Sequence, residues 1–204
     1  MTGILLMVGG GLLFVAGIFT YKKSKGEVLP IPQENTVRKK EQSDYEKNKK
    51  KGDDFEAFIV SKFNKEKFVF KNWAGDKISN GQYAESTTQP DLLYEWKGSA
   101  KNFPLWVECK WRSKAENGKL KFAYPKQLER YKNYEKEEGI PIFIALGVGG
   151  KPNKPEQLFL IPLRFIHSHE LELSKLEGYR KSVEDEFIYN AKDKFINSKN
   201  FVKS

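Results

Sequence analysis

Five short apolar segments, in a group of three and a group of two, constrain the fold of this chain most strongly. A helix is expected before the first group, from residue 53 to 64 with Asp53 as its N-cap, and a second helix ending at Gly139 between the groups. This order predicts an α/β fold in which helices flank a mixed central sheet. The segments have the length and the polar or turn-forming boundaries of strands, and they are residues 67–73, 90–96, 104–111, 140–148 and 157–163.

The composition indicates one ordinary domain with appendages that acts on a polyanion. The chain has 204 residues and a formal net charge of +9, which favours nucleic acid or an anionic membrane surface as the partner. Cys109 is the sole cysteine, so an internal disulfide and a zinc site built from several cysteines are both excluded.

The N-terminal segment predicts a membrane anchor. Residues 4 to 21 are uncharged and apolar, and as a helix they would just cross a hydrocarbon core of about 30 Å. A cleaved signal peptide is the rival interpretation, but the preceding "MTG" supplies no positive side chain. Because lysines 22, 23 and 25 follow the apolar run, a single-pass protein with its main domain in the cytoplasm is expected.

The remaining boundaries follow from composition. Residues 22 to 51 are polar and rich in lysine and predict a basic, flexible linker, residues 52 to 180 form the expected domain, and residues 181 to 204 are interpreted as a C-terminal helix or tail. The basic clusters of the linker at 38 to 40 and 47 to 51 could meet anionic lipid or nucleic acid phosphates. Interspersed acidic residues favour a plain solvated tether.

The strand at 104 to 111 segregates its charges from its apolar residues. Successive side chains of a strand point to opposite faces, so Glu108 and Lys110 share one face with Trp106 while Cys109 lies on the other. One face is expected to pack into a core and the other to present a carboxylate beside an ammonium. In the first helix, Glu56 falls inside the apolar arc, where a carboxylate is costly unless it is paired or coordinates a metal.

Asp91 opens the second strand after a proline. If the second and third strands are neighbours, Asp91 and Glu108 come together on one face with Lys110 beyond them. Such a pair makes a hard oxygen site suited to Mg²⁺, with Mn²⁺ as a substitute. A lysine beside the ion could orient or help to deprotonate a water, so the constellation points to cleavage of phosphodiester bonds.

These motifs resemble the PD-(D/E)xK nuclease superfamily, the restriction-endonuclease-like fold. The matching residues are "PD" at 90 and 91, "ECK" at 108 to 110, Glu56 on the preceding helix, and Gln127 with Tyr131 in the Q-x-x-x-Y pattern of RecB-like branches. The resemblance spans roughly residues 52 to 165 and implies a three-layer sandwich. The tripeptide alone is a weak signal, because "EWK" at 95 to 97 also fits, although no "PD" strand precedes it.

The resemblance also implies roles for these residues. It makes Lys110 the residue that positions the attacking water and Gln127 a residue that holds the site or the DNA backbone. Arg112, Lys114 and Tyr131 are candidate nucleic-acid contacts, although a solvated loop for the first two and core packing for Tyr131 remain open. The implied metal ligands are Asp91, Glu108, the Cys109 backbone carbonyl and Glu56, the last directly or through water.

The expected function is therefore that of a membrane-anchored, Mg²⁺-dependent endonuclease with DNA as the favoured substrate. Two alternatives stay open: a nuclease-like module that binds nucleic acid without cutting it, and a membrane-surface scaffold that acts through its basic linker. Asp91 could be a turn residue after proline, and Glu108 with Lys110 a solvated surface pair. A homodimer is also left open.

Overall fold

The computed structural model describes residues 34–73, 78–79, 82–83, 89–99, 101–190 and 192–199. The predicted anchor, residues 4 to 21, and the start of the predicted linker lie outside the described residues. Within the described ranges, none of the helices has both the length and the apolar character needed to cross a bilayer.

Two long helices and a set of strands make up the described part of the chain. Helix α1 spans Glu34–Lys62 and helix α2 spans Pro125–Glu138, which ends at Gly139 in a left-handed conformation, as predicted. Short 3-10 helices cover Leu163–Phe165 and Leu173–Tyr179. The strands are β1 (Phe68–Trp73), β2 (Ile78–Ser79), β3 (Gln82–Tyr83), β4 (Leu92–Trp96), β5 (Phe103–Arg112), β6 (Lys119–Lys121), β7 (Ile142–Val148), β8 (Gln157–Pro162), β9 (Glu170–Glu172), β10 (Arg180–Lys181), β11 (Phe187–Asn190) and β12 (Phe195–Ser198).

The central sheet has six strands in the order β1-β4-β5-β7-β8-β10. All neighbouring pairs are antiparallel except β5 and β7, which run parallel. The right-handed crossover expected for such a parallel pair contains α2. The five strands predicted from the apolar segments are all present in this sheet, and the prediction of a mixed α/β sheet is confirmed.

Each face of the sheet carries its own hydrophobic core. On one face, Phe55 and Ile59 of α1 pack on Val107 and Cys109 of β5. On the other face, Leu128 of α2 packs with the opposite set of sheet residues, including Trp106. Every residue of β7 is buried because helices cover both of its faces. Burial of one such large apolar side chain stabilises the fold by about 1.5 to 3 kcal/mol.

Helix α1 is longer than the sequence predicted. It begins at Glu34, not after Asp53, so the described part of the predicted flexible linker, residues 34 to 51, is helical. Asp53 lies inside the helix and forms an ion pair with Lys49 at 3.5 Å, one turn earlier, as Asp54 does with Lys50 at 3.2 Å. Pairs at this spacing add about 0.2 to 0.5 kcal/mol each to an exposed helix.

The C-terminal segment also differs from its prediction as a helix or tail. Strands β11 and β12 form an antiparallel hairpin, whose Phe187 and Ile196 are both 0% exposed and belong to the core on the α1 side of the sheet. Asn190 holds the turn, since its side-chain oxygen accepts hydrogen bonds from the backbone of Lys192 and Asp193. The hairpin therefore extends the packed body beyond residue 180.

The contact of α1 with the sheet depends on Gly147 of β7. A Cβ atom at this position would lie 2.5 Å from Cε2 of the buried Phe55 ring. We therefore expect Gly147→Ala to lower the free energy of unfolding by about 1 to 3 kcal/mol, the usual effect of overpacking a core, measured by denaturant unfolding.

Gly52 is the matched control for this substitution. It lies inside α1, and a methyl group added there would have no neighbouring atom within 4 Å, so Gly52→Ala should stabilise the chain by about 0.5 to 1 kcal/mol through helix propensity. Equal effects of the two substitutions would contradict the close approach of Phe55 to the sheet.

Candidate active site

The pairing of β4 with β5 places Asp91 beside Glu108. The two strands are antiparallel with Leu92 opposite Val107. Asp91 directly precedes β4, so extending this register by one residue puts it opposite Glu108. Directly opposed residues of an antiparallel pair have Cβ atoms about 4.5 to 5.5 Å apart. The structure thus brings together the two carboxylates that the sequence predicted to meet.

The backbone of Cys109 completes this corner of the sheet. Even-numbered residues of β5 bond to β7, as shown by the Trp106 amide on the Pro141 carbonyl and the Gly149 amide on the Arg112 carbonyl, both at 2.9 Å. Cys109 therefore faces the β4 side, where β4 has ended, and its amide donates to Asp91 Oδ2 at 2.7 Å. In an extended residue the carbonyl points to the same side as the amide, so the Cys109 carbonyl lies on the edge of β5 where its amide meets Asp91.

Glu108 is more enclosed than the sequence predicted. Its face of β5 was expected to be open, but α2 covers it and leaves Glu108 3% exposed. Lys110 Nζ donates a hydrogen bond to Glu108 Oε1, and the Tyr131 hydroxyl donates to the same oxygen. A buried carboxylate is tolerated only when it is paired and hydrogen-bonded in this way, so the solvated surface pair is not what the structure shows.

Gln127 and Tyr131 act on the site through Glu108. Gln127 Nε2 donates to the Tyr131 hydroxyl oxygen at 2.6 Å, which joins the two residues of the Q-x-x-x-Y pattern. Tyr131 is 1% exposed and belongs to the core beneath α2. Its predicted role as a nucleic-acid contact is therefore corrected, because a side chain so enclosed positions Glu108 and cannot reach a substrate.

Glu56 of α1 lies at the other side of the site, where Trp73 holds it. Trp73 Nε1 donates to Glu56 Oε2 at 2.6 Å. Trp73, which ends β1 and is 39% exposed, was not among the predicted site residues. Its only sequence signal is a large aromatic residue at the end of a strand, and this says nothing about its partner.

The side chains that face solvent here line a cavity of about 420 Å³. Arg112 borders it, and its guanidinium donates to the backbone carbonyls of Trp111, Lys121 and Phe122, which ties β5 to the next segment. Its predicted role as a phosphate contact stays a prediction. Lys114 is exposed beyond the end of β5. The lining residues are Asn48, Lys51, Gly52, Glu56, Asp91, Cys109, Lys110, Trp111, Arg112 and Ser113.

The carboxylates of the site are electrostatically strained. Burial, and then the charge of Glu108, raise the pKa of Asp91 well above its usual value. Burial also raises the pKa of Glu56, against the hydrogen bond from Trp73. Burial alone would lower the pKa of Lys110, but the charges of Glu108 and Asp91 outweigh it and raise that pKa, so Lys110 is held as an ammonium.

The donor set fits a hard divalent cation that keeps part of its water shell. Over the described ranges, no group of three or more His, Cys, Asp or Glu side chains could hold a metal ion. The prediction that Glu56 supports the metal directly or through water therefore stays a prediction. Asp91, Glu108 and the Cys109 carbonyl remain, and Mg²⁺ characteristically uses one or two carboxylates, several waters and substrate phosphate oxygens.

No protein-family model matches this chain, and no curated protein matches it either. Among solved structures, the chain is similar to the Holliday junction resolvase Hjc of the archaeal hyperthermophile Archaeoglobus fulgidus, with a TM-score of 0.43 and 17% sequence identity. The alignment covers 62% of this chain and 87% of the resolvase chain. The functional assignment therefore rests on the side chains of this chain alone.

The strain among the carboxylates predicts that Asp91→Asn stabilises the metal-free protein. The amide can still accept the Cys109 hydrogen bond but carries no charge beside Glu108. In EDTA at pH 7 we expect the Tm to rise by about 2 to 4 °C, the shift that corresponds to about 1 kcal/mol in a domain of this size, measured by calorimetry of the full chain in detergent.

The effect of Asp91→Asn on stability depends on pH in a predictable direction. Because the folded-state pKa of Asp91 is raised, the native protein binds the proton more tightly than the unfolded chain, and wild-type stability gains as the pH falls through that raised pKa. The advantage of Asp91→Asn is therefore largest at neutral pH and shrinks in acid. Asp54→Asn, which removes an exposed partner of Lys50, is the control. A lower Tm for Asp91→Asn than for wild type in EDTA would contradict the electrostatic strain at Asp91.

Proposed function

We propose that this chain is a metal-dependent endonuclease that hydrolyses phosphodiester bonds, with DNA as its substrate. The observation that supports the proposal most directly is the register of β4 and β5, which sets Asp91 opposite Glu108 with Lys110 in contact. The resemblance of "PD" and "ECK" to PD-(D/E)xK nucleases agrees with this placement.

The charge balance of the site favours a bound cation over a structural ion pair. Glu108 and Lys110 neutralise each other, which leaves the carboxylates of Asp91 and Glu56 in the same partly enclosed space. Uncompensated carboxylates in such surroundings are destabilising. A structural role would be served better by apolar residues, so we interpret the excess negative charge as a divalent-cation site.

The chain's own residues supply positioning and charge for the reaction. Asp91, Glu108 and the Cys109 carbonyl would hold the ion, which when bound lowers the pKa of water and neutralises phosphate charge. The Lys110 ammonium orients the attacking water and stabilises charge on the phosphoryl oxygens. A bond forms between the water oxygen and phosphorus, the bond from phosphorus to the leaving sugar oxygen breaks, and a proton passes from the water to solvent while the leaving oxygen gains one.

Tyr131 and Gln127 contribute by orientation. The Tyr131 hydroxyl and the Lys110 ammonium both bond the same oxygen of Glu108, which leaves Glu108 Oε2 for the ion. Gln127 fixes the hydroxyl in turn. Glu56 lines the same cavity and is fixed by Trp73, so it can orient a water next to the ion. The formal net charge of +9 favours a nucleic acid as the substrate.

The proposal predicts that Asp91→Ala and Lys110→Met each lower the cleavage rate by at least about 100-fold, because several kcal/mol of transition-state stabilisation depend on the ion and its neighbouring charge. The full chain in detergent is incubated with plasmid DNA, linear DNA and RNA in Mg²⁺, Mn²⁺ or EDTA. Cleavage of DNA should require the divalent ion and be lost in EDTA.

The tripeptide "EWK" provides a matched control. Glu95 and Lys97 have the same spacing as Glu108 and Lys110, but they lie at the far end of β4, where Glu95 accepts a hydrogen bond from Asn102. Glu95→Gln and Lys97→Met should leave cleavage unchanged. Undiminished cleavage in Asp91→Ala and Lys110→Met would refute the assignment, whereas salt-sensitive DNA binding by wild type without turnover would favour the inactive binding module.

We further propose that Mg²⁺ or Mn²⁺ is the cofactor held by Asp91 and Glu108.

We also propose that residues 4 to 21 anchor the enzyme in a membrane with the nuclease domain in the cytoplasm. The support is the sequence alone: an uncharged apolar run of sufficient length followed by lysines 22, 23 and 25.

If residues 4 to 21 are a membrane anchor, arginine substitutions within them should abolish membrane association. Leu12→Arg combined with Leu13→Arg should move the full chain out of the membrane pellet after alkaline extraction, because each arginine at the centre of a span is unfavourable by about 2.5 to 3.5 kcal/mol. Val28→Arg, beyond the run, should leave it in the pellet. Extraction of wild type and control into the supernatant would contradict the anchor.

A further inference from the structure

The middle of α1 forms one wall of the candidate active site. Asn48, Gly52 and Glu56 recur every four residues and therefore share one face of the helix, and Lys51 is their neighbour on it. All four line the cavity that contains Asp91 and Lys110. Asn48 and Lys51, which the sequence placed in a tether, thus line the cavity of the candidate site.

Lys51 differs from the other lysines of this segment. Lys49 and Lys50 form ion pairs with Asp53 and Asp54, the acids one turn later in α1. Lys47 pairs with Asp44. Lys51 is exposed, and its Nζ donates to the Asn48 side-chain oxygen at 3.4 Å. Its bonded neighbour is therefore a neutral amide, so its charge is available to a ligand in the cavity.

We propose that Lys51 and Asn48 form a binding subsite for a backbone phosphate of the nucleic acid strand that the enzyme cuts. The inference rests on the proposed function and deepens it. The Lys51 ammonium supplies the charge, and the Asn48 amide nitrogen supplies a second donor, the pairing that phosphate oxygens accept. This phosphate neighbours the one that reacts at Asp91 and Glu108, since both subsites open into one cavity of about 420 Å³.

The subsite offsets the negative charge of the carboxylates in the cavity. Glu56 and Asp91 line the cavity, and in their ionised forms these carboxylates repel an approaching polyanion. Lys110 is already engaged by Glu108, and the Arg112 guanidinium is occupied by backbone carbonyls. Backbone carbonyls leave the Arg112 charge in place, but they fix its guanidinium on the β5 side of the cavity. Lys51 is the exposed cavity-lining cation on the α1 wall, so it offsets the repulsion there.

Nucleic acid is favoured over an anionic lipid surface as the ligand. A phosphodiester strand can lie in a cavity of this size, whereas a bilayer surface is broad and flat and would meet the repulsive carboxylates first. The ion-paired lysines on the remaining faces of α1 have no such relation to the cavity. A vesicle arm in the experiment distinguishes the two sources of phosphate.

The test compares Lys51→Ala with Lys50→Ala in the full chain in detergent. Lys50 is the matched control, because it neighbours Lys51 on the same helix but is paired with Asp54 and does not line the cavity. Binding of a fluorescent DNA oligonucleotide is measured in the cleavage-deficient Asp91→Asn background over about 50 to 200 mM salt. Cleavage kinetics are measured in the wild-type background.

We expect Lys51→Ala to reduce the slope of log Kd against log salt by about 0.7 to 0.9, the value for loss of one phosphate contact, and to raise KM several-fold with kcat little changed. Asn48→Ala should raise KM less, and Lys51→Arg should restore most of the binding. Lys50→Ala should keep the wild-type slope and KM.

Several outcomes would overturn the subsite. In the first, wild type cleaves DNA, but Lys51→Ala and Lys50→Ala have the same KM and the same slope of log Kd against log salt. This result would refute the subsite and leave the nuclease assignment intact. Another is loss of binding to anionic phosphatidylserine vesicles, but not to DNA, in Lys51→Ala. If wild type neither binds nor cleaves any nucleic acid, the nuclease assignment itself fails, and the subsite fails with it.

Discussion

The antiparallel register between β4 and β5 is the constraint on which the site depends. With Leu92 opposite Val107, Asp91 faces Glu108, and the Cys109 amide is left to hydrogen-bond the Asp91 carboxylate. Because side chains alternate along a strand, a slip of one residue would move Glu108 and Lys110 to the α1 side of the sheet and expose Val107 to α2. The two buried cores on opposite faces exclude that slip, so apolar packing fixes the positions of the charges.

Those parts of the fold that depend on local periodicity could be predicted from the sequence. The five apolar segments became strands of one sheet, and the alternation in "WVECKW" correctly separated Glu108 and Lys110 from Val107 and Cys109. The meeting of Asp91 with Glu108 followed from the assumption that consecutive strands pair. Gly139 ended α2 as expected because a left-handed residue is needed there.

The remainder depends on tertiary contacts that no local pattern encodes. The beginning of α1 had the composition of a tether, and its helix is supported by exposed lysine–aspartate pairs, each of small energy. The covering of Glu108 by Tyr131 and the holding of Glu56 by Trp73 join residues 23 and 17 positions apart. The C-terminal hairpin buries Phe187 and Ile196 in the core beside α1, a contact with residues far away in the sequence.

The arrangement of charge around the cavity connects stability to the proposed chemistry. Its inner part holds carboxylates whose mutual repulsion and burial destabilise the metal-free fold, as the raised pKa of Asp91 records. Its α1 wall carries an ammonium, Lys51, bonded to a neutral amide. A divalent cation alone would relieve the inner repulsion, and a phosphodiester strand alone would meet it. The two ligands together complement both parts, so cation and nucleic acid should each strengthen the binding of the other.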